Sequence, residues 1–198
     1  MRCFISVVLL CGLAIAAEFW QTKKAADWTE QEARRMVENS PWVRETRSSM
    51  DERKLRMGGS VGVFHASNAK VSFESAEPVH EAKAKLGVKD AADAFREDYV
   101  VVKVSGMQMM GGGGSEHNER QLAELTTLKV RDNKVFQAAI AKVQQTANGP
   151  VMFFGFTRKE LNLAVEDKQV TFTTTMGPME ISAKFNLREM VYQGKLAL

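Results

Sequence analysis

Met107, Met109, Met110 and His117 bring three thioethers and an imidazole into one short stretch. Thioethers are soft ligands that favour Cu(I), and in an oxidising compartment they replace thiols in that role. The glycines between them, Gly111 to Gly114, read as a mobile loop that lets such ligands converge. Against copper stands the general use of methionine to fill irregular gaps in cores, and eleven methionines are scattered through the chain. The other ligand types are sparse. His65, His80 and His117 form no short-spaced zinc pair. Glu77, His80 and Glu81 would share one helix, where surface charge is the expected role. The acidic pairs Glu97-Asp98 and Glu166-Asp167 are adjacent residues, which point apart and make no acid/base couple. No serine or threonine is read as a nucleophile activated by a nearby base. The expectation is a chain that is not an enzyme, with no catalytic residue, no cofactor-binding residue and no metal ligand set.

Sulfur chemistry is narrowed further by where the cysteines fall. Cys3 and Cys11 both lie in an N-terminal stretch with Arg2 at its start, an apolar run from Phe4 to Leu13, and Ala14-Ile15-Ala16 after it. That is the pattern of a secretory signal peptide, too short to span a bilayer. Cleavage is expected after Ala16, with Ala17 the next choice. A lipid-modification site wants a small residue before the cysteine, and Leu10 precedes Cys11. The mature chain would then hold no cysteine, which excludes disulfides, thiol catalysis and thiolate metal sites. It would have no stable membrane span. The whole chain has 198 residues, 27 basic and 24 acidic, for a formal charge of +3. So balanced a total points to no nucleic-acid partner. The length suffices to bury a core without staples.

The elements that must position these residues divide into residues 1–16 as signal peptide, 17–57 as an N-terminal helical segment with a charged linker, and 58–198 as one α+β domain. Thr29-Glu30-Gln31-Glu32 is a capping box, and Trp28 with Ala33 can form the hydrophobic staple. The helix puts Ala33, Met36 and Val37 on one face and stops at Ser40-Pro41. Trp20, Trp28 and Trp42 surround it as anchors. Arg44 to Arg56 mixes charges and reads as a solvated linker. Strand alternation is expected at Val61–Phe64 and Ala69–Glu74, and helices from Glu77 to Leu86 and from an Asp90 cap to Phe95. Tyr99–Val104 is nearly all β-branched and reads as a central strand buried on both faces. A short helix over Glu119–Leu125, a strand at Thr126–Val130 and a turn at Asp132-Asn133 follow. Val135–Val143 fits helix or strand. Asn148-Gly149-Pro150 turns into a buried strand over Val151–Phe156. Val170–Thr175 and Glu180–Leu187 alternate about Met176-Gly177-Pro178-Met179, a β-hairpin with Ile181, Ala183, Phe185 and Leu187 on one face. A last short strand spans Tyr192–Leu198. The fold class is α+β: a mainly antiparallel sheet with a C-terminal hairpin, a few short helices and a tryptophan-anchored N-terminal helix.

Three blocks, Trp28-Thr29-Glu30-Gln31-Glu32-Ala33 through Ser40-Pro41-Trp42, Phe73-Glu74-Ser75-Ala76-Glu77-Pro78-Val79, and Phe185-Asn186-Leu187-Arg188-Glu189-Met190-Val191-Tyr192-Gln193-Gly194-Lys195-Leu196, resemble an uncharacterised family of secreted proteins common in Acidobacteria. In the second block the family usually has tryptophan in place of Phe73. The resemblance implies secretion and an α+β domain and carries over no catalytic residue. The expected role is a secreted or periplasmic, non-catalytic binding or accessory protein of the bacterial envelope. Its partner would be an unknown envelope protein or a small ligand. An interaction module built on the tryptophan-rich helix and copper binding through the Met107–His117 loop are the alternatives.

Overall fold

The computed structural model describes residues 18–50, 68–88, 95, 98–107, 116–130 and 134–198. The expected leader, the strand expected at Val61–Phe64, the helix expected from Asp90 apart from Phe95, the Gly111 to Gly114 loop and the Asp132-Asn133 turn lie outside them.

Two short helical pieces, α1 (Phe19–Thr22) and a 3-10 turn at Ala25–Asp27, lead into α2 (Glu30–Glu38). Both halves of the capping box form. The Glu32 amide donates to Thr29 Oγ1 at 3.1 Å and the Thr29 amide to Glu32 Oε2 at 2.8 Å. The Lys23 ammonium beside Glu32 holds its carboxyl below the usual carboxylate range. Strands β1 (Val43–Arg47) and β2 (Ser49–Met50) follow directly. The charged stretch read as a linker is therefore strand as far as Met50. β1 pairs with β3 (Asn68–Phe73), and β2 pairs with a strand more than a hundred residues away. Its polar residues suit a strand at a seam between two sheets, where little of either face is covered.

The remaining elements are α3 (Glu77–Lys85), β4 (Tyr99–Ser105), α4 (Glu116–Glu124), β5 (Thr126–Val130), β6 (Val135–Gln137), β7 (Ile140–Thr146), β8 (Gly149–Thr157), β9 (Gln169–Met176), β10 (Met179–Asn186), β11 (Val191–Tyr192) and β12 (Lys195–Leu196). One sheet runs β1-β3-β4-β8-β7 and the other β2-β10-β9-β5-β6. Every pairing is antiparallel. The run β1–β2 passes from the edge of one sheet to the edge of the other, and β6–β7 does the same at the opposite edges. The chain thus ties the two sheets together at both pairs of edges. The ambiguous Val135–Val143 segment is strand because it forms this second seam, broken at Ala138-Ala139. The fold is broadly α+β and mostly β.

β4 lies in the middle of its sheet, and Val100, Val101, Val102 and Val104 are all buried, as its composition requires. Alternate residues face the interior. Phe73 meets Phe185 across the sheets at 4.8 Å between ring centroids, and Phe154 meets Phe172 at 5.6 Å. Leu128, Val130, Val170, Ile181 and Ala183 complete that interior from the second sheet. Side chains fill it. The hairpin β9–β10 turns at Gly177-Pro178, with Gly177 at φ +57°. Gly149 opens β8 at φ +105°, and a Cβ there would stand 2.7 Å from the Met107 carbonyl oxygen. The single strand expected at the C-terminus is instead the small pair β11–β12, because Gln193 and Gly194 both take positive φ and reverse the chain.

Candidate ligand-binding site

The three tryptophans close one end of the core. Trp28 and Trp42 are fully buried and Trp20 nearly so. Phe19 packs edge-on against Trp20 and Trp28 at 4.9 and 5.3 Å, Trp20 against Trp42 at 6.1 Å, and Trp28 against Tyr192 at 6.0 Å. Ala33 and Met36 join the same cluster and Val37 packs on its edge. Trp42 Nε1 donates to the Ala197 carbonyl at 2.7 Å, tying the N-terminal segment to the C-terminus. The indole N–H groups of Trp20 and Trp28 and the hydroxyl of Ser40 are buried without a hydrogen-bond partner among the described residues. Such orphans are rare in native proteins.

Two of these orphans, on Trp20 and Ser40, belong to residues lining a cleft of ≈ 350 Å³. It forms where α1, the end of α2, the start of β1 and the turn after β10 converge. Arg35, Arg44 and Arg188 line it with Glu18 and Glu189. Arg35 bonds Glu18 at 2.8 Å and its guanidinium lies 5.7 Å from the Trp20 ring centre. Arg44 bonds Glu189 at 3.3 Å and the Ser40 and Val43 carbonyls, and stacks over Phe185 at 5.7 Å. Planar cations held on aromatic faces are preorganised to meet an oxyanion or a carbonyl.

A second polar cluster lies on the outer face of the β3–β4 sheet. Glu74 follows β3, and its carboxylate is 1% exposed. It accepts from Ser72 Oγ at 2.5 Å and Lys103 Nζ at 2.7 Å, and from Lys83 on α3. Ser72 and Lys103 are register partners, so pleating puts them on one face with Glu74. The shared carboxylate fixes α3 on the sheet through Lys83. No motif in the sequence marks this cluster. The usable signal was Lys103 inside a strand read as buried on both faces, since a buried ammonium must be paired.

α3 uses its other side for Tyr192, whose hydroxyl donates to Glu81 Oε2 at 2.6 Å. Burial, and then the Glu81 carboxylate, push the phenol up to about 12. The fold favours the neutral form. The stabilisation this brings is whole below the ordinary tyrosine value and is lost as pH rises from about 10 towards 12. Tyr99 is the other tyrosine, so absorbance titration of Tyr99→Phe reads Tyr192 alone. The expected midpoint is about 12. A midpoint near 10 would mean that Tyr192 is neither buried nor bonded to Glu81 in solution.

The remaining sequence candidates separate. Met107 is fully buried in the core. Met109 and Met110 are outside the described residues, as is the side chain of His117, whose backbone is in α4. Among the described residues no group of three histidines, cysteines or acids can hold a metal ion. His80 lies on α3 beside Glu77 and Glu81. Two serine spacings escaped the reading above: Gly58-Gly59-Ser60-Val61-Gly62 spells a nucleophile-elbow pattern and Ser67-Asn68-Ala69-Lys70 a Ser-x-x-Lys pattern. Both serines are outside the described residues. Lys70 is in β3 and its amine faces Glu45 at 3.9 Å.

No family model, curated protein or solved structure matches the chain. Among the described residues no helix is long and apolar enough to cross a membrane.

Proposed function

We propose that this chain is an exported, non-catalytic binding or accessory protein of the bacterial envelope, and that its ligand or partner meets it at the cleft of Trp20, Arg35, Arg44 and Arg188. The observation that carries this reading is the pair of unpartnered polar atoms, Trp20 Nε1 and Ser40 Oγ, on residues lining an arginine-rich cleft. The burial of Trp28 and Trp42 supports this cleft over the alternative of an exposed tryptophan helix. The burial of Met107 removes one thioether from the copper alternative. The best-formed ionic cluster has its Glu74 carboxylate only 1% exposed beneath α3, away from any described cleft, which supports binding over catalysis. Membership of the secreted Acidobacteria family is part of the same proposal.

Two measurements test it. Protein recovered from envelope fractions is expected to have the intact mass of a chain beginning at Ala17 or Glu18. A mass that still includes Met1 to Ala16, or a lipid adduct on Cys11, contradicts export with cleavage. Purification from envelope extract under native conditions is then compared with Arg35→Ala. A species identified by mass spectrometry with the parent and lost with the variant supports the cleft. The same recovery from both places binding elsewhere.

A further inference from the structure

We propose that a second cleft, between the ends of β5, β9 and β10, binds a small phosphate-bearing ligand. It stands apart from the proposal above and shares only Arg188 with that cleft.

The cavity measures ≈ 510 Å³, in the range of small-molecule sites, and exceeds what a bare phosphate fills. Its described lining brings together Lys129, Lys168 and Arg188 with Gln169, Thr171 and Asn186, and includes no carboxylate. The sheet register makes the cluster. Lys129 stands opposite Thr171 on the neighbouring strand, and Gln169 opposite Asn186 on the next. Those residues share the outer face of a sheet whose interior face is Leu128, Val170 and Phe185. Several other surface cations are held by acids, as at Lys23–Glu32, Arg35–Glu18 and Arg44–Glu189. Among the described residues no acid pairs with Lys129, Lys168 or Arg188.

An independent observation concerns the backbone of Lys168. It lies at φ +64°, ψ −47°, close to the rare γ-turn with positive φ, which strains any residue with a Cβ. Two hydrogen bonds hold it there. Its amide donates to the Val165 carbonyl at 3.1 Å, and its own carbonyl accepts from the Leu187 amide at 2.9 Å. Glycine would relieve the strain, yet the position is lysine. A lysine kept in a strained turn beside two other unmatched cations points to a ligand with at least two negative charges. A phosphate group supplies them, with several acceptor oxygens for the lysines as point charges and for the forked arginine. The Thr171 hydroxyl and Gln169 amide add neutral donors.

The phosphate can belong to a soluble molecule or to a lipid headgroup, and two arms separate these. In the first, calorimetry follows pyrophosphate added to the purified protein at low salt, and to Lys129→Gln and Lys168→Asn. Lys168→Asn should melt close to the parent, because the turn strains lysine and asparagine alike. In the second, the same proteins are sedimented with phosphatidylglycerol or phosphatidylcholine vesicles. One saturable pyrophosphate site, weakened about tenfold or more in each variant and by added salt, supports a soluble ligand. Sedimentation with phosphatidylglycerol alone, lost in both variants, supports a headgroup. Binding of neither probe, or binding that folded Lys129→Gln and Lys168→Asn retain in full, overturns the proposal.

Discussion

Glu74→Ala is expected to lose about 3–5 kcal/mol of stability, the range for removing one partner of a buried ion pair. Glu74 is the common acceptor for Lys83, Lys103 and Ser72. Its removal takes away the buried carboxylate that both ammonium groups share. Lys83 is 6% exposed and cannot turn to water without lifting α3, whereas Lys103, at 21%, can relax in part. For a domain of this size the loss corresponds to a fall in melting temperature on the order of 10 °C. The double variant Glu74→Leu with Lys83→Met should recover much of it, since apolar replacement of a buried pair is often neutral or better. Thermal melts and urea titrations check both. A Glu74→Ala protein that melts within a degree or two of the parent would show that the cluster is not closed in solution.

Trp42→Ala is expected to cost a comparable 3–5 kcal/mol, the usual price of truncating a large buried aromatic. The indole is fully buried, packs on Trp20, and supplies the N–H that satisfies the Ala197 carbonyl. Trp42→Phe keeps most of the apolar contact and leaves that carbonyl unpaired, which should cost about 1–3 kcal/mol. The ordering alanine below phenylalanine below parent, read by chemical denaturation, tests whether residues 18–42 are part of the body. If Trp42→Ala melts like the parent, the N-terminal segment is dispensable and the packing described here is wrong.

What the sequence disclosed was local. The Thr29–Glu32 box needs four consecutive residues, the β9–β10 hairpin needs two alternating runs about Gly177-Pro178, and β4 needs a run of valines. Each is written within one element, and each is found where the pattern put it. The tryptophans were legible for the same reason: large apolar groups around a short amphipathic helix need a surface to cover. The joining of the two sheets was not legible. It depends on Val43–Arg47 pairing with Asn68–Ser72 and on Met50 pairing with Met179, and no nearby residue signals either contact. The charges of that seam resemble a linker because they face outward on both sides of the junction.

The candidate sites were hidden for related reasons. Glu74, Lys83 and Lys103 come from a strand end, a helix and a central strand, and the helix segment Glu81-Ala82-Lys83-Ala84-Lys85 has the composition of a solvated face. Lys129, Lys168 and Arg188 are scattered along a chain whose total charge is nearly balanced, so composition diluted what the sheet register concentrates. The Trp20–Arg35–Arg188 cleft joins the two ends of the chain.

The central claim, that ligand or partner meets the cleft at Trp20 and Arg35, is tested most directly by the indole N–H resonances of ¹⁵N-labelled protein. There are three, one per tryptophan, assigned with Trp→Phe variants. The Trp42 group is already bonded to the Ala197 carbonyl, whereas that of Trp20 has no partner. On addition of the binding-active envelope fraction, the Trp20 resonance is expected to shift while Trp42 stays in place, and Arg35→Ala should abolish the shift. A spectrum in which Trp20 does not move while binding is seen by another method would contradict the account.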